Sequence, residues 1–114
     1  MGRYRGLTLR ILGRGSPAMG PGKAELIEHI ARTGSISAAA RAMGMSYRRA
    51  WELVEALNAA YKEPVVTTAI GGNRGGGARV TPYGTRLLAQ FRSMENKASA
   101  AIAADLKRFR RHLR

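Results

Sequence analysis

Two arginines stand where a protein that binds a polyanion would need them. Arg48 and Arg49 follow Ser46 closely and open a segment whose apolar residues recur at helical spacing. A guanidinium group can pair bidentately with a phosphate or with a guanine edge, whereas an ammonium group acts only as a point charge. Arg74, within a glycine-rich stretch, and Arg79 offer the same chemistry further along the chain.

The composition indicates the same kind of partner. Twenty Lys and Arg against seven Asp and Glu give a net charge of +13, and sixteen of the twenty basic residues are Arg. Such an excess favours nucleic acid over an anionic membrane, because bidentate pairing suits phosphates and base edges. The charge lies mainly in the flanks, since residues 21–60 carry only +1 and residues 81–114 carry +6.

Several other classes of function are disfavoured. The chain has no Cys, and its two histidines, His29 and His112, lie far apart, so we expect no metal site, no cofactor and no catalytic residues. No apolar run approaches the roughly 18 residues that span a bilayer, and no secretory signal is recognisable. These features predict a soluble, cytoplasmic protein that is not an enzyme and does not bind membranes.

Two capped helices joined by a short turn are predicted to position the arginine pair. Ser35 or Ser37 can cap the first helix, which ends at Gly44, and Ser46 can cap the second. Apolar residues at i, i+3, i+4 and i+7 fix the buried face of the second helix, namely Ala50, Leu53, Val54 and Leu57. This is the layout of a helix-turn-helix, in which the first turn of the second helix enters the DNA major groove.

The flanking segments complete a small domain. Residues 4–12 alternate as a half-buried strand would, residues 13–22 are predicted to form a loop, and a helix should run from Pro21 to Gly34. Two short β-branched segments, residues 65–68 and 78–80, surround a glycine-rich stretch. A hairpin directly after a recognition helix is a wing, and its glycines allow Arg74 to approach a phosphate or the minor groove. The stretch lacks the ending of a nucleotide-binding P-loop.

A long helix is predicted after the wing. Thr81 and Pro82 form a specific start signal, and apolar residues at three- and four-residue spacing continue to the end of the chain. A single helix to about residue 112 would be roughly 45 Å long at 1.5 Å per residue, more than a small domain can cover. We therefore expect a homodimer with contacts from Leu87, Phe91, Met94, Ile102, Leu106 and Phe109. The alternative is that this stripe packs on its own domain.

The fold class expected is mainly α with a small β wing. Residues 1–80 would form a winged helix-turn-helix DNA-binding domain, and residues 81–114 a C-terminal dimerisation helix with a basic tail. The tail is best interpreted as a solvated helix end, with a second DNA contact or a membrane-binding end as alternatives.

Three side chains of the second helix have competing interpretations. Tyr47 and Trp51 can contact DNA or can pack between the helix and the wing. Glu52 can accept a hydrogen bond from a cytosine amino group, but pairing with Arg48 one turn earlier is favoured, since an unpaired carboxylate facing phosphates would be costly.

The residues of the helix-turn-helix and wing also resemble a known family. Residues 34–51, with Tyr47-Arg48-Arg49-Ala50-Trp51 at their end, together with residues 71–78 and 81–84, are similar to the N-terminal DNA-binding domain of ModE-type molybdate-responsive regulators. The resemblance covers roughly residues 7 to 95. It implies a dimeric winged helix-turn-helix that binds an inverted-repeat operator and controls genes for molybdate uptake or molybdenum enzymes.

The chain also departs from that family. Full-length members carry molybdate-binding domains after the DNA-binding domain, whereas this sequence stops at Arg114. We therefore expect no ligand sensing by these residues, and a separate ligand-sensing partner is compatible with that expectation. The DNA-binding residues predicted are Ser46, Tyr47, Arg48, Arg49, Trp51, Arg74 and Arg79, and the competing function is non-specific binding of nucleic acid by an architectural or RNA-binding protein.

Overall fold

A computed structural model describes residues 6–15, 17–69 and 77–114. Five helices and two short antiparallel hairpins occur in that part of the chain. In chain order the elements are β1 (Ile11–Leu12), β2 (Pro17–Met19), α1 (Pro21–Thr33), α2 (Ile36–Ala42), α3 (Tyr47–Ala60), β3 (Val66–Ala69), β4 (Gly77–Val80), α4 (Pro82–Ala101) and α5 (Ala103–Arg110).

The N-terminal segment differs from its prediction. Among the described residues the strand is confined to Ile11–Leu12, and part of the predicted loop forms a second strand, Pro17–Met19, which pairs with it. The alternation of residues 4–12 predicts one longer strand, because pairing between strands is not visible in a local pattern. The hairpin carries Met19 into the core and leads directly into α1.

The helix boundaries of the central domain follow the predicted capping signals. Gly34 ends α1 in the left-handed conformation, with a φ of 69°. Ser35 rather than Ser37 caps α2 by accepting a hydrogen bond from the amide of Ala38 at 3.0 Å, and Ser46 caps α3 in the same way. The turn between α2 and α3 passes through Gly44, which also has a φ of 69°.

The core lies where α1, α2 and α3 pack against the hairpins and α4. The largest of its fully buried side chains are Phe91, Met19, Leu26, Ile27, Ile30, Leu57, Val54, Val65 and Val66. Burying each side chain of this size contributes about 1.5–3 kcal/mol, so this cluster fixes the position of α3. The prediction of Ala50, Val54 and Leu57 as core residues of α3 is confirmed, and Leu53, the fourth residue of that pattern, is half-buried against the core.

Hydrogen bonds from Asn58 attach the β3–β4 hairpin to α3. Its side chain donates to the carbonyl oxygen of Val66 at 2.8 Å and accepts from the amides of Val65 and Val66 at 2.8 and 3.1 Å. On the other side, the amide of Ala78 donates to the carbonyl oxygen of Gly34 at 2.9 Å. These bonds hold the hairpin, which follows α3 in the chain as a wing does, against Asn58 of α3 and Gly34 at the end of α1.

The predicted single C-terminal helix is interrupted. Ile102 leaves the helical conformation, with φ −109° and ψ 10°, and separates α4 from α5. Neither proline nor glycine marks this position, and apolar spacing continues through it, so the sequence pattern predicts one helix. The break brings Leu106 and Arg110 of α5 beside the backbone of Gly6.

A partly buried ion pair anchors α4 on α1. The Arg92 guanidinium donates to both carboxylate oxygens of Glu28, at 2.9 and 3.2 Å, and to Glu95 at 2.7 Å. Partial burial lowers the pKa of Arg92, but the hydrogen bonds and charges of the two glutamates outweigh this and raise it. This cluster fixes the direction in which α4 leaves the domain.

Candidate nucleic-acid interface

The first turn of α3 presents its basic side chains outward. Capping by Ser46, whose hydroxyl accepts from the amide of Arg49 at 3.0 Å, starts the helix immediately before Tyr47. Because Ala50 is fully buried, the helix has one defined orientation, which leaves Arg48 and Arg49 in solvent. The side chain of Arg48 is 88% exposed.

Glu52 pairs with Arg48, as predicted for an i, i+4 pair on one helix face. The carboxylate lies 3.5 Å from Arg48 Nε, and both side chains are largely exposed. An exposed pair of this kind contributes only about 0.3–0.5 kcal/mol, so it can open at little cost when a base edge or phosphate competes for the guanidinium. The pair therefore orients the Arg48 side chain but leaves it able to bind a base edge or a phosphate.

The two aromatic residues of this region remain accessible. Tyr47 is 55% exposed and Trp51 is 36% exposed. They flank Arg48 on the surface of α3 and lie outside the buried core. An aromatic side chain with a polar end suits an interface that is partly wet.

One arginine of the wing lies within the described residues. Arg79 lies on β4 opposite Thr67 of β3, and both residues are exposed. The predicted contact Arg74 falls in residues 70–76, outside the described residues. Asn58 and Gly34, which hold the wing in place, were not predicted, because their hydrogen bonds join positions that no local pattern relates.

The residues predicted for dimerisation divide into two groups. Phe91 is only 2% exposed and belongs to the core of its own subunit, which corrects its prediction as a contact. Leu87 packs against that core, and Ile102 and Leu106 are half-buried. Met94 and Phe109, at 42% and 63% exposure, lie on the surface of the C-terminal helices.

In the described ranges, none of the helices combines the length and the apolar character that crossing a bilayer requires.

Comparison with known proteins defines the class to which this arrangement belongs. Residues 22–85 match the family of bacterial regulatory helix-turn-helix proteins of the lysR type. The match begins in α1, includes the helix-turn-helix and wing, and ends in the first turn of α4. The chain belongs to this family, and the predictions of a winged helix-turn-helix and of a regulatory rather than an enzymatic protein are confirmed.

Comparison with individual proteins shows which relatives the chain resembles in sequence. The chain is 45% identical over 103 residues to the molybdenum-pterin-binding protein MopB of Rhodobacter capsulatus, covering 90% of this chain and 37% of that protein. It is 36% identical over 85 residues to the molybdenum transport protein ModE of Azotobacter vinelandii, covering 75% and 32% of the two chains. It is 43% identical over 88 residues to the DNA-binding transcriptional dual regulator ModE of Escherichia coli, covering 75% and 34%.

The chain spans about a third of the length of these curated relatives. The predicted resemblance to ModE-type regulators is confirmed at the level of this DNA-binding region.

Proposed function

We propose that this chain is the DNA-reading domain of a transcription regulator that binds an inverted-repeat operator as a homodimer. The observation that carries the proposal is the start of α3, where a serine cap and a buried Ala50 hold Arg48 and Arg49 outward. Arg48 is placed to read a base edge in the major groove, while Tyr47, Arg49, Trp51 and Arg79 contact the backbone or the groove walls. Arg74 is proposed as a further DNA contact.

The regulated genes are proposed to be those of molybdenum metabolism. This part of the proposal rests on the relatives, whose names place them in molybdenum transport, molybdenum-pterin binding and transcriptional control. Fragments of the source genome that the chain enriches should lie upstream of such genes. Enrichment of unrelated promoters would contradict the assignment.

Dimerisation is proposed to occur through the C-terminal helices. Met94 and Phe109 expose apolar surface on α4 and α5, and Ile102 and Leu106 lie half-buried between them. A two-fold dimer places two recognition helices about one DNA turn apart, roughly 34–36 Å, which an inverted repeat requires. Residues 1–80 would thus read DNA, and residues 81–114 would set the spacing.

The direct experiment compares DNA binding by the wild-type chain and by a variant with Arg48→Ala and Arg49→Ala. Wild type should give a defined footprint, with an affinity that falls with salt at a log–log slope of about 0.9 per phosphate contacted. The variant should lose sequence preference while it keeps general affinity from the remaining basic residues. A matched control is Arg108→Ala with Arg111→Ala in the tail, which removes the same charge and should keep the preference.

The competing function, non-specific nucleic-acid binding, gives the opposite result. In that case wild type binds every duplex equally without a footprint, and both double variants lose a similar, small amount of affinity. That outcome would overturn the proposal.

A further inference from the structure

Three cationic side chains from separate elements surround one cavity beside the recognition helix. Arg10 precedes β1, Lys23 lies in the first turn of α1, and Arg49 lies in the first turn of α3. Together with the backbone at Gly20 and Gly22 they line a cavity of about 480 Å³. The sequence gives no sign of this cluster, because its members are up to 39 positions apart.

The cluster is held in place by ordinary packing and hydrogen bonding. Lys23 Nζ donates to the carbonyl oxygen of Pro17 at 2.7 Å, which keeps the ammonium group next to the N-terminal hairpin. The Arg10 side chain lies against Gly20, where a Cβ would be 3.7 Å from its Cγ and Nε. Gly20 is the N-cap of α1 and has no side chain that could cap the first turn of that helix.

The cationic groups of Arg10, Lys23 and Arg49 form no ion pair with a carboxylate in the described part of the chain. Partial burial lowers the pKa of Lys23, and the charges of Arg49 and Arg10 lower it further. The carboxylate in the lining, Glu52, is paired with Arg48 at 3.5 Å. Across the described ranges, no carboxylate lies within 4.0 Å of the cationic groups of the cluster. An anion would therefore relieve repulsion among three cations.

The cavity lies along one side of the first half of α3. Arg49 is about 100° around α3 from Arg48, so it faces sideways when Arg48 faces a base edge. A helix about 10–12 Å in diameter fills a major groove about 12 Å wide, and phosphates then run along both flanks. The cluster occupies one such flank.

We infer that Arg10, Lys23 and Arg49 bind a backbone phosphate of the duplex beside the groove that α3 enters. The inference rests on the proposed function and adds the N-terminal hairpin and the start of α1 to the interface. A contact of this kind fixes the register and tilt of α3 and carries no sequence information itself.

The test uses the full chain with Arg10→Gln and Lys23→Gln. Its matched control is Lys62→Gln with Lys97→Gln, which removes the same two charges from exposed sites outside the cavity. The cluster variant should lower the log–log salt slope by about one relative to the control, and both should select the same DNA sequence. Phosphate ethylation should interfere with wild type and the control at one flanking phosphate, and this interference should disappear in the cluster variant.

Several results would overturn the inference. A cluster variant with the salt slope and ethylation pattern of the control shows that no phosphate is bound there. Binding of inorganic phosphate to the cavity, with an unchanged ethylation pattern on DNA, assigns the site to a small free anion. If wild type itself shows no footprint, the proposed function fails together with the inference. If wild type shows a footprint and the cluster variant behaves like the control, the inference fails and the proposed function stands. Arg10→Gln alone, which leaves the hydrogen bond from Lys23 to Pro17 in place, repeats the test if the double variant does not fold.

Discussion

At the scale of single residues, the two arginines of α3 have different surroundings. Arg48 is almost fully exposed and weakly paired with Glu52, whereas Arg49 lines a cavity with two other cations. The spacing from Ser46 predicted that both would be exposed, because a cap and a helical period are local signals. The surroundings of Arg49 depend on Arg10 and Lys23, whose approach is a tertiary property that the sequence pattern does not contain.

Replacing Arg48 with lysine separates charge from geometry. Arg48→Lys keeps the net charge but removes the bidentate fork, so the preference for the selected site over random DNA should fall by about 1–3 kcal/mol. Non-specific affinity should change little. Competition binding measures both quantities, with Arg41→Lys of α2 as the matched control. Equal discrimination by wild type and Arg48→Lys would show that Arg48 does not read a base.

Tyr61 gives a prediction on stability and pH. Its hydroxyl donates to the carbonyl oxygen of Ala18 at 2.7 Å, and burial, together with Tyr83, raises its pKa. Tyr61→Phe should therefore cost about 1 kcal/mol in the free energy of unfolding at pH 7. Since the folded state holds this proton more tightly, the contribution is full below pH about 10 and is lost as pH rises through the raised pKa.

Urea unfolding of wild type and Tyr61→Phe at pH 7 and above pH 10 measures that difference. The gap between the two proteins should narrow at the higher pH. If the difference in the free energy of unfolding is the same at both pH values, ionisation of the Tyr61 hydroxyl does not affect stability.

At the scale of elements, local signals predicted helix ends and missed pairing. Gly34, Ser46 and Thr81 mark boundaries in the sequence and mark them in the fold, because capping involves neighbours within a few positions. The strand Pro17–Met19 and the break at Ile102 have no comparable local signature. The ion pair between Arg92 and Glu28 joins positions 64 apart and is equally invisible in a pattern.

The junction between wing and α4 depends on Gly84. A Cβ at this position would lie 2.5 Å from the carbonyl oxygen of Val65 and 3.0 Å from the side chains of Val65 and Val80. Gly84→Ala should therefore destabilise the fold by about 1–3 kcal/mol, although alanine is the better helix former by about 1 kcal/mol. Gly22→Ala is the matched control, since nothing lies within 4 Å of its Cβ, and it should be neutral or slightly stabilising.

Thermal or urea unfolding of both glycine variants decides the point. If Gly84→Ala is as stable as Gly22→Ala, then the close approach of α4 to β3 is not a constraint on the domain. If the Gly84→Ala protein is destabilised but still dimerises, the loss of stability arises at the junction between the wing and α4 alone.

At the scale of the whole molecule, the C-terminal helices leave apolar surface that one subunit does not cover. Met94 and Phe109 are exposed, whereas Phe91 serves the core. We expect the wild-type chain to be a dimer at micromolar concentration. Phe109→Asp, which places a charge in the proposed interface, should shift it toward monomer, while Leu12→Asp on the N-terminal hairpin should not.

Light scattering on the three proteins measures the oligomeric state. A monomeric wild type would contradict the dimer, and a Phe109→Asp protein that stays fully dimeric would move the interface elsewhere. Circular dichroism of each variant confirms that a lost dimer is not a lost fold.

Selection of bound duplexes from a random pool shows whether a dimer of this chain reads a defined DNA sequence through α3. Wild type should enrich an inverted repeat whose half-sites are separated by about one helical turn. The variant with Arg48→Ala and Arg49→Ala should enrich no motif while it still retains DNA at low salt. A wild-type pool without any enriched sequence, or the same motif from wild type and the variant, would contradict the claim.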